Sequence, residues 1–441
     1  HKFGKAKEAK GLYRQILDEQ PDRSDAIWLV MGQAIADTFA GDEDAAWGNT
    51  EKLLNDYPND SRTAEAVGQV AWCCRKVEDW ENARALYQHV VDTWPDNERA
   101  IYSQRGIILA SIELEDFDAA EAATNDLLAN YATHPALVDA MGDVAEAYAA
   151  NVRFEKSRDL HRYIIEAFPS SGQAIWSQRS AISCSCRLKD EDAIDEGLER
   201  LLTDFRDHPN IVKAMYQVAR RLNGVRDVRA KKAFQFVLER DRDGKLGLLS
   251  QVNMGGITIR SGDLKGGTAT FGAIIDKYKD HPNLVEAVSL MAEAYWHEAS
   301  WKNHYGLKDQ YRQYVRLALG AWNRIILELP EHDYHTPQAH YMSAECYRML
   351  GQPARAIERY QAIVQNWPEH QYADLALGRV IKRLEDMVRA GTVTEGLGAA
   401  GLRKACQDIL DYYPDRSMAP VAESVLTQLE RSISVKGDSN E

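Results

Sequence analysis

The chain has 441 residues, 53 of them Lys or Arg against 67 Asp or Glu, for a formal net charge of −14. That balance disfavours nucleic acid as a partner, because a phosphate backbone demands a continuous basic footprint. The composition is that of a folded soluble protein, and no apolar run is long enough to span a bilayer, so membrane insertion is not expected. No signal-peptide pattern opens the chain; it starts at His1 rather than Met, which leaves room for a secretory leader upstream.

An aromatic residue recurs every 37 positions, at Tyr57, Trp94, Tyr131, Phe168 and Phe205, with Tyr278 a double step of 73 further on. Proline follows directly, as Pro58, Pro95 and Pro169, or four residues later, as Pro135, Pro209 and Pro282. Proline cannot continue a helix, so each copy ends there. Ala9 and Tyr13 before Pro21, Ala83 and Tyr87 before Pro95, and Ala356 and Tyr360 before Pro368 share one spacing that keeps both residues on one helical face. Between prolines there is room for two helices of about 14 residues and two tight turns. The unit is a helical hairpin, repeated along the chain.

Taken in order, residues 3–20 read as a second helix without its first. The first helices that follow alternate in kind, giving a double repeat of about 74 residues. One series is Ala26-Ile27-Trp28, Ala100-Ile101-Tyr102 and Ala174-Ile175-Trp176, echoed at Leu248-Leu249-Ser250-Gln251; the other is Ala64-Glu65-Ala66-Val67-Gly68, Val138-Asp139-Ala140-Met141-Gly142, Val212-Lys213-Ala214-Met215-Tyr216 and Val285-Glu286-Ala287-Val288-Ser289. Residues 299–318 break the rhythm with Trp301, His304, Tyr305, Tyr311 and Tyr314 among Lys302, Lys308, Arg312 and Arg316. This stretch is expected to lengthen a hairpin and to offer an outer face to a partner. Residues 390–401 are Gly-rich and read as a surface loop. Residues 419–432 read as a first helix without its second, with Val421, Ala422, Val425, Leu426 and Leu429 on one face.

At residues 337–368 the pattern of Ala344, Tyr347, Gly351, Ala356, Tyr360 and Pro368 resembles the tetratricopeptide repeat family. The resemblance implies an all-α, right-handed superhelical solenoid of antiparallel hairpins, about eleven repeats long, in which Ala344 and Ala356 let two helices approach closely while Tyr347 and Tyr360 fill the space between hairpins. A single elongated body is expected: regular repeats over 1–298, an insertion-bearing repeat over 299–335, the clearest repeat over 336–370, an irregular terminal repeat and last helix over 371–434, and a disordered tail over 435–441. The aromatic-Pro endings, as in Asp56-Tyr57-Pro58-Asn59-Asp60 and Tyr412-Tyr413-Pro414-Asp415, look most like bacterial periplasmic lipoproteins of envelope assembly. They point to a secreted bacterial protein, periplasmic or extracellular, with the cytoplasm as the alternative. The unit is longer than the family's usual repeat, and the copies near 242, 329 and 413 are irregular.

In solenoids of this family the first helices line the ligand-binding surface. Carried to this chain, those positions are Trp28, Trp72, Arg75, Tyr102, Arg105, Trp176, Arg179, Tyr216 and Arg220. Arg beside an aromatic suits peptide carboxylates, joining bidentate hydrogen bonds to a flat apolar platform. Against this stands a plainer account in which the rings are interhelical packing and the arginines pair with neighbouring acids.

The search for chemistry yields no phosphate loop, nucleophile elbow or zinc helix. Cys73, Cys184 and Cys346 each fall 21 residues before a beat aromatic, which marks a recurring small apolar site better than metal ligation or a disulfide. Cys73-Cys74 and Cys184-x-Cys186 lie too far apart to share one zinc. His134, His208 and His281 each precede a proline and read as turn formers. Asp241-Arg242-Asp243-Gly244 resembles a calcium loop whose glycine is misplaced. Glu331-His332-Asp333-Tyr334-His335 with His340 is the one local ligand cluster, and solvated histidines explain it. No cofactor and no metal are therefore expected, and the chain is read as not an enzyme.

Two functions follow. One is a protein-interaction scaffold that self-associates head to tail into filaments, Leu12, Tyr13 and Ile16 of one copy meeting Val421, Val425, Leu426 and Leu429 of the next. The alternative is a monomeric adaptor that holds a peptide or protein partner in its groove.

Overall fold

The computed structural model describes residues 2–20, 23–389, 395–416 and 418–437. Among the described residues there are twenty-two helices and no strand. The chain is all-α and built of helical repeats. It divides into two compact units, His1–Val225 and Arg226–Glu441.

The first unit holds α1 (Lys2–Glu19), α2 (Ala26–Ala40), α3 (Glu43–Asp56), α4 (Thr63–Lys76), α5 (Trp80–Thr93) and α6 (Ala100–Glu113). It continues with α7 (Phe117–Asn130), α8 (Leu137–Ala150), α9 (Phe154–Ala167), α10 (Ala174–Leu188), α11 (Glu191–Thr203) and α12 (Ile211–Gly224). The even-numbered helices are the first helices of the hairpins. From α2 to α10 each packs on the second helix of its own hairpin, and α2, α4, α6 and α10 also meet the next first helix, as α4 meets α6.

The turn inside each hairpin has a fixed form. A residue in the left-handed region recurs every 37 positions, at Gly41, Glu78, Glu115, Val152 and Lys189, with φ of 73°, 64°, 58°, 63° and 57°. The next residue caps the second helix. Asp42, Asp79, Asp116 and Asp190 accept the N–H of Ala45, Asn82, Ala119 and Ala193 at 3.3, 3.3, 3.2 and 3.1 Å, satisfying an amide that the helix leaves free. The 74-residue beat appears in what holds those caps. Lys10, Arg84 and Arg158 reach Asp42, Asp116 and Asp190 at 3.3, 2.8 and 2.6 Å.

Four second helices end at the beat aromatic: Tyr57, Trp94, Tyr131 and Phe168 are the C-caps of α3, α5, α7 and α9, and all four pack against the core, whereas α11 is capped by Asp204, one residue before Phe205. The turn to the next first helix is closed by a side-chain acceptor. Asp60 accepts the N–H of Arg62 at 2.9 Å and Asn97 that of Arg99 at 2.8 Å, while the Nδ1 atoms of His134 and His208 accept from Ala136 and Asn210 at 3.1 Å. The histidines are turn formers, as their place before proline predicts.

Successive hairpins meet through rings seated on glycines. A Cβ on Gly32 would fall 2.7 Å from the ring of Tyr13, and one on Gly106 would overlap the ring of Tyr87. The third copy carries His161 and Ser180 at the corresponding positions, a smaller ring facing a residue that has a side chain. All six cysteines are buried and free, and burial pushes Cys73 up to about 12.

The second unit holds α13 (Arg229–Arg240), α14 (Lys245–Arg260), α15 (Leu264–Lys277), α16 (Leu284–His304) and α17 (Lys308–Glu328). It closes with α18 (His335–Met349), α19 (Pro353–Asn366), α20 (Ala373–Arg389), α21 (Glu395–Tyr412) and α22 (Ala419–Gly437). Ala344, Ala356 and Tyr360 are fully buried at the α18–α19 contact, and the Tyr360 hydroxyl donates to the buried carboxylate of Glu345. The insertion lengthens a hairpin as expected: α16 and α17 run 21 residues each, where α15 and α19 run 14.

The expected loop at 390–401 falls partly outside the described residues, and from Glu395 onward the backbone is helical instead. Leu402, Ala405, Cys406 and Ile409 give α21 a buried helical face. Gly401 lets α20 come close, since a Cβ there would lie 3.1 Å from Leu384. Pro21 and residues 438–441 of the expected tail lie outside the described residues.

Two substitutions test these joints. Gly106→Ala is expected to destabilise the first unit by about 1–3 kcal/mol through overlap with Tyr87. Gly48→Ala, where an added Cβ meets nothing within 4 Å, is expected to stabilise it by propensity alone. Val152 is a β-branched residue held at φ 63°. Val152→Gly is expected to raise the urea midpoint, with a gain on the order of 1 kcal/mol; an unchanged or lower midpoint would show that the turn carries no strain.

Candidate functional site

Three of the nine groove residues expected from sequence converge in the first unit. Trp72 lies on α4, Tyr102 and Arg105 on α6, and together with Tyr87 and Arg99 they line a hollow of about 290 Å³. Gly68 opens it: a Cβ there would meet only Ser103 Oγ, at 3.8 Å. Both guanidiniums sit over the Tyr102 ring, Arg105 at 5.5 Å and Arg99 at 5.9 Å from its centroid. The Trp72 indole is 45% exposed and the Tyr102 ring 39%, so two large aromatic surfaces face solvent where those of a packed core would not. Beyond Trp72 lies a second hollow of about 890 Å³, lined by Phe39, Trp47, Val70, Val77 and Leu86.

The arginines are already paired. Arg105 donates to Asp143 at 2.7 Å, Arg99 lies 3.3 Å from Glu65, and Arg179 lies 3.7 Å from Glu146. Asp143 and Glu146 both belong to α8, which therefore compensates a cation on each flanking first helix. Surface pairs of this kind contribute about 0–1 kcal/mol, so a ligand carboxylate can replace the internal acid at little cost.

The other expected residues fall elsewhere. Trp28 packs against the core of the unit, and Tyr216 is buried. Trp176 is half-buried with Lys213 at 5.5 Å over its ring, the Arg75 charge partly offsets the rise that burial imposes on the Tyr87 hydroxyl, and Arg220 is exposed. Gly68, Arg99, Asp143 and Glu146 were not anticipated as groove residues. The sign for Gly68 lay in its series, where it stands opposite the bulkier Tyr216.

Next to Glu146, His161 is almost fully buried and pushed down to about 4 by burial, which outweighs the pull of Glu146; the Arg179 charge adds to the lowering. His340 of the second unit is also pushed down to about 4 by burial, with Arg359 acting the same way, and its ring lies 5.4 Å from that of Trp367. The rest of the histidine cluster is turn structure. His332 Nδ1 accepts the N–H of Tyr334 and of His335 at 3.3 and 3.2 Å. Among the described residues no three His, Cys, Asp or Glu are grouped to hold a metal ion. Asp241 of the calcium-like loop accepts the N–H of Gly247 at 3.0 Å.

Of the residues expected to join copies, Leu12 is 59% exposed and Val421 44%. Tyr13 is seated on Gly32 and Ile16 is half-buried, while Val425, Leu426 and Leu429 pack against the chain's own core around Ile409 and Tyr413. No helix among the described residues is long and apolar enough to cross a membrane.

Residues 338–370 match the family model described as Tetratricopeptide repeat. That segment is a tetratricopeptide repeat. Its architecture is similar to that of Naa15/Naa10 bound to HypK, at 13% identity over 95% of this chain and 72% of that one, with a TM-score of 0.37. Yeast Tom70 is similar at 12% identity, 98% and 93% coverage and a TM-score of 0.37. A tetratricopeptide repeat protein from Parabacteroides merdae is similar at 10% identity, 63% and 98% coverage and a TM-score of 0.35. At such identities and scores the likenesses say nothing of partner or ligand. The comparison with curated proteins gives no match. Tetratricopeptide-type folds serve protein–protein interaction through the surfaces that their stacked helices create.

The two buried imidazoles set a pH dependence. Their folded-state values lie below the ordinary 6.5, so the unfolded chain takes up protons first. Stability is expected to be intact above about pH 6.5 and to fall as the pH drops toward about 4. Urea midpoints across that window check this, and joint His161→Gln and His340→Gln substitution should flatten the profile.

Proposed function

We propose that this chain is a non-enzymatic interaction scaffold that takes an extended segment of a protein partner across the α4–α6 hollow. The observation that carries the reading is the convergence of Trp72, Tyr87 and Tyr102 with two guanidiniums around a floor left open by Gly68. Exposed aromatics beside arginine, in a recess that excludes water on binding, are the composition of interaction hot spots. The hollow takes an apolar or aromatic side chain, and Arg99 and Arg105 exchange their internal acids for a carboxylate of the partner. The larger recess on the far side of Trp72 gives the segment room to continue past the indole.

A second reading, head-to-tail self-association, draws support from the exposed Leu12 and Val421. Light scattering across concentration, with Leu12→Lys and Val421→Lys variants, separates the two.

For the groove, peptides selected by phage display on the full chain are the probe. Trp72→Ala with Tyr102→Ala is expected to weaken them by more than about tenfold, since such rings contribute about 2 kcal/mol or more at a hot spot. Gly68→Leu, whose Cβ would meet only Ser103 Oγ at 3.8 Å and whose longer side chain would enter the hollow, is expected to do the same. Selected peptides that bind all these variants unchanged would overturn the reading.

A further inference from the structure

The extra turns of α16 and α17 form a prong unlike the rest of the chain. With 21 residues each against 14 in α15 and α19, they carry about seven residues, or about 10 Å, beyond the ordinary hairpin. Gly306, at φ 71°, closes the tip in a left-handed turn. Trp301, Tyr305 and Leu307 are 41%, 57% and 42% exposed there. The rings are not loose: Trp301 and Tyr305 lie 5.0 Å apart, His304 is 5.1 Å from Tyr305, and the Arg226 guanidinium lies 4.0 Å over the Trp301 indole. Arg226 is fixed in turn by Glu298 at 3.5 Å.

The charge of the prong is unmet. Among the described residues none of Lys302, Lys308, Arg312 and Arg316 has an ion-pair partner, although the four fall within fifteen residues of one hairpin end. Asp309 is the only acid between Trp301 and Arg316. A basic and aromatic tip thus contrasts with a chain whose net charge is −14.

We propose that the α16–α17 tip is a second docking surface, for an acidic protein segment that also carries aromatic or aliphatic side chains. Carboxylates of that segment pair with Lys302, Lys308 and Arg312, and its apolar side chains lie on Trp301 and Tyr305. A lipid surface fits less well, because Arg226 already covers one face of the indole and Leu307 is the only large aliphatic side chain at the tip. A nucleic acid fits less well because the basic footprint is one hairpin tip on an acidic chain. The surface is independent of the α4–α6 hollow.

The test uses the full chain and three probes: a fluorescein-labelled peptide alternating Glu and Phe, a single-stranded oligothymidylate, and phosphatidylcholine vesicles containing phosphatidylserine. The peptide is expected to bind with an affinity that falls as salt rises. Lys302→Glu with Lys308→Glu, which disturbs no buried residue, is expected to weaken it by about tenfold or more, as is Tyr305→Ala with Trp301→Ala. Trp72→Ala with Tyr102→Ala should leave this binding unchanged, so that failure here and failure of the groove are read separately. Peptide binding that survives the charge reversal, absence of peptide binding, or tip-dependent binding of the oligonucleotide or the vesicles in its place would overturn the proposal.

Discussion

A ring seated on a glycine is the contact on which the first unit depends. A hairpin of two helices of about 14 residues cannot bury its own apolar faces, so its stability comes from the neighbour it stacks on. Tyr13 on Gly32 and Tyr87 on Gly106 set how closely α1 approaches α2 and α5 approaches α6. Where the ring becomes His161, a group whose ordinary titration lies near neutrality takes the place of a phenol, and burial holds it neutral. The same stacking brings α4, α6 and α8 side by side, and the hollow between α4 and α6 exists because Gly68 puts no side chain there.

Much of this architecture is written in side-chain chemistry that recurs. The beat aromatics mark the ends of second helices because those rings pack as C-caps, and His134 and His208 declare their turns because an imidazole nitrogen can stand in for an Asp or Asn oxygen. The turn inside each hairpin is far less legible. Its left-handed residue is Gly41 once and then Glu78, Glu115, Val152 and Lys189, none of which signals positive φ. The α21 start was obscured for the opposite reason: glycines that read as a loop serve instead to let helices approach, as Gly401 does against Leu384.

The candidate site was legible in its rings and not in its charges. Trp72, Tyr102 and Arg105 are named by their place on first helices, but the acids that neutralise the arginines sit a full repeat away, as Asp143 does from Arg105. A spacing of that kind becomes meaningful only after the repeats are stacked. Tyr216 shows the limit of the positional argument, since it shares the series of Gly68 and is nonetheless buried. The paired arginines shift the groove away from pure carboxylate capture toward recognition of an apolar side chain flanked by exchangeable ion pairs. Lys302, Lys308, Arg312 and Arg316 stand together at the α16–α17 end without an ion-pair partner, so the two surfaces differ in what they ask of a partner.

The most direct test of the central claim is photocrosslinking of a selected peptide carrying a benzophenone in place of its aromatic residue, mapped by mass spectrometry on the full chain. The account predicts crosslinks within Thr63–Lys76 and Ala100–Glu113, the helices that wall the hollow. Crosslinks confined to other helices would contradict it.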